Sequence, residues 1–289
     1  MHLLKRSANK DADMEKVLEY VNNSFESAEE QAAFDVYDAN NINPLYGFFV
    51  ARAGLGASES MRSKLAEYND PRLSRAFITK QGTSGKEQAP GTADNAVYAP
   101  NGTPEQGTSK YGTSLFMYSI SAPTLLLSYH ELKFLEAEAL CRLERDAKSA
   151  LKDAVVAGLL NAENSFTISR KELGKTLINA ASSITEAEAE SYFDNTIEAK
   201  YTAEPLKTTM TQKYFALWGA SGEATESYND VRRMKGLGEN FIELKNPNSF
   251  PLRCPYGNSD TTTNAEVKAA YGNGQYVYSE NVWWAGGSR

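Results

Sequence analysis

The 289-residue sequence predicts a mostly α-helical fold, built from helix pairs and broken by long irregular loops. Three observations predict it. Residues 124–143 carry apolar side chains at helical spacing, and a second such pattern at about 146–162 follows across the short join Glu144-Arg145, which makes an antiparallel pair. A second pair reads at 185–200 and 203–220. Between and beyond the pairs, 81–114 and 236–289 concentrate glycine and proline. Pairs of roughly 35–40 residues fit tetratricopeptide-like stacking, although the two pairs do not repeat each other in sequence.

In chain order, 11–32 reads as a helix capped by Asp11 or Asp13, with Met14, Val17, Leu18 and Val21 as its stripe. Residues 33–56 are aromatic and turn-rich around Asn43-Pro44. Residues 58–68 form a short helix capped by Ser58, stopped before Asn69-Asp70-Pro71 because a residue preceding proline avoids the α region. The stretch 81–114 holds six of the twenty glycines and three of the ten prolines, so it is expected to be a surface loop and not a linker. In 124–143, Tyr129, Leu132, Leu135, Ala139, Leu140 and Leu143 make one stripe; Leu126, His130, Phe134, Ala137 and Cys141 make another. Two apolar faces predict burial on two sides, with Pro123 at the helix start. The next helix takes Asp146 as cap and points Ala147, Ala150, Leu151, Ala154, Val155 and Gly158 inward. Thr185 and Glu188 have capping-box spacing, and Leu206, Met210, Tyr214, Leu217 and Trp218 line the last scaffold helix. From 236 the chain is broken by Gly236, Gly238, Pro247, Pro251, Pro255 and later glycines. It still carries Phe250, Tyr256, Tyr271, Tyr276, Tyr278, Trp283 and Trp284, too much apolar surface to stay unfolded; it is expected to wrap over the helices. The expected organisation is one domain over 1–289, with the scaffold at about 115–235, the loop at 81–114 and the aromatic tail at 236–289.

Composition removes several function classes. Thirty basic residues against 37 acidic ones give a net charge of −7 with no basic cluster, which argues against nucleic acid or an anionic membrane as partner. Two cysteines cannot build a disulfide framework in a chain this long. A metal site would draw on Cys141, Cys254, His130 and His2, but His130 and Cys141 are eleven positions apart on one helix, about 16 Å, and cannot share an ion. No metal and no cofactor is expected. His130 on an apolar face reads as a core histidine and Cys141 as a small buried hydrophobe. The N-terminus lacks the apolar run of a signal peptide, and no stretch approaches the roughly 18 apolar residues of a membrane span.

Several segments together resemble the SusD/RagB family. Tyr129-His130-Glu131-Leu132-Lys133-Phe134-Leu135-Glu136-Ala137-Glu138-Ala139 is similar to that family's Tyr-x-Glu-x-x-Phe-Leu-x-Ala-Glu-Ala helix. Thr211-Gln212-Lys213-Tyr214 is similar to its Gln-Lys-Tyr helix, and Glu223 to Tyr228 with Val231-Arg232-Arg233 to the stretch that follows. Asn69-Asp70-Pro71-Arg72-Leu73 and Val282-Trp283-Trp284 also fit. Pro251-Leu252-Arg253-Cys254-Pro255-Tyr256 departs from the pattern, with Pro-Tyr in reversed order and the family's glutamate absent. The resemblance implies a surface-exposed outer-membrane lipoprotein of Bacteroidetes that is not an enzyme. Such a protein binds glycan, oligosaccharide or peptide nutrients and lids a SusC-like TonB-dependent transporter. Family members begin with a signal peptide and a lipid-bearing cysteine, whereas residues 1–30 resemble the middle of the family, so the chain is expected to be the C-terminal portion of such a protein or a gene product cut short.

Glycan sites set aromatic faces against sugar rings and polar groups against hydroxyls. Tyr98 and Tyr111, in the long polar loop, are the candidate ligand-binding residues, with selectivity expected from loops around 36–56 and 81–114. Trp218 reads as core, and Trp283-Trp284 as a tail anchor. Glu131 and Glu138 share a helix face; they read as bonds to neighbouring helices, not an acid/base pair, and no catalytic residue is expected. Arg232-Arg233 reads as a solvated or loop-bonding pair. Asn101-Gly102-Thr103 matches a glycosylation acceptor but is followed by Pro104 and is discounted. The rival to ligand binding is a helical-repeat scaffold for protein–protein contacts without a small ligand; a carboxylate hydrolase has no positive support.

Overall fold

Side-chain caps and prolines set where the helices begin in the computed structural model, which describes residues 1, 4–52, 56–81, 86–88, 98–102, 111–173, 177–178, 182–219, 222–245 and 249–287. These fall into two compact units, Met1–Glu243 and Leu244–Arg289. Most of the candidate loop over 81–114 lies outside the described residues. The architecture is mostly helical, as the sequence predicts.

In the first unit, α1 (Lys10–Asn22) is capped by Asn9, whose side chain accepts the Ala12 N–H; Asp11 and Asp13 fall inside the first turn instead. The helix is shorter than 11–32, because the chain leaves it at Asn23 and runs through a 3-10 turn into β1 (Ala32–Phe34). Met14 packs with Leu4 and Ala139. The turn-rich stretch 33–56 contains a helix, α2 (Pro44–Arg52): Pro44 takes the first helical position, and Asn43 accepts the Leu45 N–H at 2.8 Å. Ser58 caps α3 (Glu59–Glu67), which ends at Asn69 in a left-handed conformation (φ 49°) before the proline. β2 (Phe77–Gln81) pairs antiparallel with β3 (Lys86–Gln88) and with β4 (Thr113–Ser114).

The largest correction falls at 124–128. These residues are not the first turn of a helix: β5 (Thr124–Leu127) pairs antiparallel with β1, and α4 spans Tyr129–Arg142. Pro123 therefore precedes a strand. The reason is local. Ser128 takes an extended backbone and its Oγ accepts the Glu131 N–H at 3.0 Å, so the helix begins one residue after it. Ser128 is fully buried. Ser128→Ala is expected to destabilise the unit by about 1–2 kcal/mol, read as a lower urea midpoint; an unchanged midpoint would show that the cap does not set this boundary.

α5 (Lys148–Leu173) continues eleven residues beyond the expected 162. Nothing in 163–173 breaks a helix, and Glu163, Phe166 and Ser169 on it are buried. Gly158 lets α5 approach α8 closely: a Cβ there would lie 2.9 Å from the Ala216 Cβ. After β6 (Leu177–Ile178), parallel to β3, Thr185 caps α6 (Glu186–Tyr192) through the Glu188 N–H. Only that half of the capping box forms, since the Glu188 carboxylate turns to Arg75 and takes its Nη2 with both oxygens at 2.9 Å. A π-helical turn (Phe193–Ile197) leads into α7 (Glu198–Ala203). Pro205 opens α8 (Pro205–Leu217), and α9 (Ala224–Leu237) ends on Gly238 with φ 81°. Trp218 packs in the core as expected, against Phe77 and Phe116.

The second unit includes two short helices that its composition did not announce, α10 (Asn258–Thr263) and α11 (Ala265–Tyr271). Tyr256 stacks on Tyr271 at 4.4 Å, Arg253 lies over the Tyr256 ring, and Gly274 (φ 71°) allows the chain to pass beside Tyr256. Trp283 is 69% exposed.

Candidate functional site

Two places collect chemistry in the first unit. One is where the long loop leaves and rejoins the described chain. The Ala99 N–H donates to the Ala57 carbonyl and the Ala57 N–H to the Gly112 carbonyl, both at 2.8 Å, which ties Ala99 and Gly112 to the residues that enter α3. Asn101 Oδ1 accepts from Ser58 Oγ and from the Ser60 N–H, so this side chain is engaged in the fold. Tyr98 is half-buried, edge-on to Phe77 at 5.2 Å, with the Arg62 guanidinium over its ring at 5.5 Å. Burial holds its phenol above the ordinary value, with Arg62 opposing. Tyr111 is 7% exposed.

The other place is a buried charge cluster where α4, α8 and α9 meet. Glu131 and Glu138 lie two turns apart on one face of α4. From α8, Lys213 Nζ sits 3.0 Å from Glu131 Oε1 and 2.9 Å from Asp230 Oδ2. From α9, Arg233 Nη2 donates to Glu138 Oε2 at 2.9 Å and to Asp230 Oδ1 at 2.8 Å, while Nη1 donates to Glu138 Oε1. Arg142 adds Nε to Glu138 at 2.7 Å and forks onto Glu239. Burial opposes the charge on each of these groups, and for all of them but Glu131 the partners outweigh it. Arg233 and Arg142 hold the Glu138 carboxyl below its usual range, and Lys213 and Arg233 do the same for Asp230. Glu131, Asp230 and Glu138 in turn raise the Lys213 ammonium. Glu131 is pushed up by burial.

The glutamates thus bond neighbouring helices, as the sequence suggests. Arg233 departs from expectation. It is buried in this cluster, because its spacing from Asp230 puts both on the face turned to α4; Arg232 lies over the Tyr228 ring instead. A second buried pair lies in Asn69-Asp70-Pro71-Arg72-Leu73, the segment that stops α3 and shares in the family resemblance, although nothing in the sequence marks the two charges as paired. The Arg72 guanidinium and backbone donate to Asp70, with Nη2 to Oδ2 at 2.6 Å, the Tyr192 hydroxyl donates to the same oxygen, and Arg72 lies over Phe215.

Beside the charge cluster a cleft of about 430 Å³ opens between α1, β5, α4 and α9. Its floor is Glu131, Lys213, Glu223 and Asp230; Met1, Ser24 and Glu226 also line it, and most of the other lining side chains are apolar, Tyr20 among them. Behind the floor, His130 Nε2 faces Glu223 Oε2 at 3.6 Å. Burial, then the Arg72 and Lys213 charges, pushes His130 down to about 3. Burial, then the Glu131 charge, pushes Glu223 up to about 7. His130 stays neutral when folded but protonates below 6.5 when unfolded. Its contribution to stability is therefore complete above 6.5 and is lost as pH falls towards 3. Glu223 keeps its proton to about 7 when folded and to 4.5 when unfolded, so its contribution is complete below 4.5 and is lost as pH rises to 7. Glu223→Gln removes only the second slope. Measured by urea unfolding, the stability of this variant relative to the parent is expected to rise between about pH 4.5 and pH 8. A difference flat in pH would show that Glu223 is not protonated in the fold.

Among the described residues, no group of three or more His, Cys, Asp or Glu is placed to hold a metal, and no helix is long and apolar enough to cross a membrane. A SusD-like family model, described as starch-binding and associating with the outer membrane, matches residues 1–256. The chain belongs to this SusD-like family. It is 65% identical to a SusD/RagB family protein of Bacteroides thetaiotaomicron, with a TM-score of 0.92 over all of this chain and 62% of that one. A SusD homologue of Bacteroides fragilis shares its fold at 20% identity, with a TM-score of 0.67 over 98% of this chain and 64% of its own. So does a chitin-binding protein, at 18% identity and a TM-score of 0.61 over 99% of this chain and 62% of its own. No curated protein matches. The SusD-like chain thus spans less than two thirds of each of these relatives, and its family is one of binding proteins, not enzymes.

Proposed function

We propose that this SusD-like chain acts in glycan capture at the outer surface of the outer membrane and passes its ligand to a SusC-like TonB-dependent transporter. The observation that carries the proposal is the match of residues 1–256 to a family described as starch-binding and associating with the outer membrane. The fold shared with a chitin-binding protein is consistent with a polysaccharide ligand. The ligand site is assigned to the segments around Tyr98 and Tyr111. Tyr98 keeps part of its ring in solvent, with Arg62 beside it to donate to sugar hydroxyls; Tyr111, packed beneath the surface, fixes the other end of the loop. A partly exposed aromatic ring with a cationic donor over it combines the apolar and polar contacts that an oligosaccharide site uses.

Isothermal titration with starch-derived and chitin-derived oligosaccharides, and with peptides, tests the proposal on the full-length protein. Binding of one of the glycans is expected, with Tyr98→Ala weakening it about 5- to 10-fold, the equivalent of about 1–1.4 kcal/mol. No binding by the full-length protein to any of them, or binding indifferent to Tyr98, would overturn it.

A further inference from the structure

The stretch from β1 through α2 is fastened along one side and bare along the other. Tyr37 Oη and Thr124 Oγ1 lie 2.8 Å apart. The Asn43 N–H donates to the Ile120 carbonyl and Asn43 Nδ2 to the Ala122 carbonyl, both at 2.8 Å. Phe49 packs edge-on against Tyr118, and the Tyr46 hydroxyl donates to Glu172 on α5. Between these anchors the other side chains are left in solvent. Phe34, Val36, Ile42, Phe48 and Val50 are five of the ten large, exposed apolar side chains among the described residues; Val36 is 65% and Val50 61% exposed. No charged residue interrupts 39–51. Leu126, on β5 beside β1, is exposed as well. Such a concentration on anchored backbone marks an interaction surface, because the isolated chain gains nothing from holding aliphatic groups in water.

Charge selects the partner. Residues 10–38 hold nine acidic residues and two basic ones, all of them exposed, so this one segment accounts for the whole net charge of −7. The remaining residues carry equal numbers of acidic and basic groups. The segment forms α1, the 3-10 turn and β1, and Asp35 and Asp38 alternate with Phe34, Val36 and Tyr37. An apolar centre with a charged flank is the composition of a protein interface. A second copy of the chain would set carboxylates against carboxylates, and an anionic membrane would be repelled for the same reason. A neutral glycan stacks on aromatic faces and would leave Val36, Ile42 and Val50 uncovered.

We propose that the face built by α1, β1 and α2 docks a protein surface that is apolar at its centre and basic where it meets residues 10–38, and that this surface belongs to the SusC-like transporter. The identity of the partner rests on the functional reading above; the chemistry of the face does not. Residues 36–50 thereby serve docking in place of the ligand selectivity that their sequence suggests.

The test uses the full-length protein and the SusC-like transporter from its gene neighbourhood, purified in detergent and titrated by biolayer interferometry. Phe48→Glu with Val50→Glu puts charge on the apolar centre, and Glu19→Lys with Asp35→Lys reverses charge on the flank. All four side chains are exposed, so the variants fold, which a thermal melt verifies. Each double variant is expected to weaken the complex about tenfold or more. The parent complex is also expected to weaken as salt rises from about 0.05 M to about 0.5 M, and the flank variant to respond less. A complex that both double variants leave intact, or one indifferent to salt, overturns the assignment of this face and leaves the transporter reading standing. No complex with the parent protein overturns both, while the glycan titration still decides the ligand. A dimer of the parent protein alone that Phe48→Glu with Val50→Glu disperses in sedimentation also overturns the proposal, by making the face a contact between copies.

Discussion

Lys213→Met is expected to lower the stability of the first unit by about 3–5 kcal/mol. The side chain is 2% exposed and is the only cation within ion-pair distance of Glu131 among the described residues. Methionine has nearly the same length and fills the space, so the effect isolates charge. Without the ammonium, Glu131 is a buried carboxylate with no counter-ion, and Asp230 keeps only Arg233. Removing one partner of a buried pair costs far more than the pair contributes, because the remaining group keeps its desolvation penalty and loses the compensation. Two further measurements separate this account from simple loss of packing. Adding Glu131→Leu should restore most of the loss, since it removes the orphan. The deficit should also shrink at low pH, where Glu131 takes up a proton and ceases to be charged. Urea denaturation followed by far-UV circular dichroism reads all three. A double variant as unstable as the single one would mean that Lys213 stabilises the fold by some other contact.

Phe166→Ala is expected to cost a similar amount, about 3–5 kcal/mol, for a different reason. Phe166 is fully buried on the last third of α5 and lies 4.7 Å, ring to ring, from Phe116, which in turn meets Trp218 edge-on. Truncation removes apolar surface from the core and leaves a void that the rigid Phe116 ring beside it cannot close. Phe166→Leu, which keeps most of the volume, should lose less than half as much. The measurement is the same denaturation experiment. A loss below about 1 kcal/mol for the alanine variant would show that residues 163–173 do not pack on the core as a continuous helix.

Phe166 also shows how far the sequence could be read. The helical stripe was legible to Gly158 because every inward residue there is apolar. Beyond it half of the buried positions, Glu163, Ser165 and Ser169, are polar among Leu159, Ala162 and Phe166, and this polarity hides the period. These residues are buried because partners from distant segments satisfy them: the Ile184 N–H donates to Glu163, and Ser119 shares a hydrogen bond with Ser169. Residues 124–127 fail in the opposite way. Leu125, Leu126 and Leu127 continue the apolar run of α4, so the period extends through them, but Ala32 to Phe34 pair with their backbone and Ser128 caps the helix after them. A strand partner about 90 residues away leaves no local trace. Arg233 was misread because charge alone suggests solvent; only the approach of α4, with Glu138 facing it, makes burial possible.

The sequence by itself determined the helical class, most of the scaffold helices, the capping roles of Ser58 and Thr185, the core placement of Trp218 and the SusD-like family. These follow from local geometry, since a 3.6-residue period, a cap and a breaker act within a few residues of one another. The tertiary structure alone decided which polar residues are buried, where β5 replaces a helical turn, and that Glu131 and Glu223 meet at the floor of one cleft. Those outcomes depend on side chains from helices far apart in the chain being brought into contact. A carboxylate's environment is set by what packs against it, and its own neighbours in sequence do not specify that.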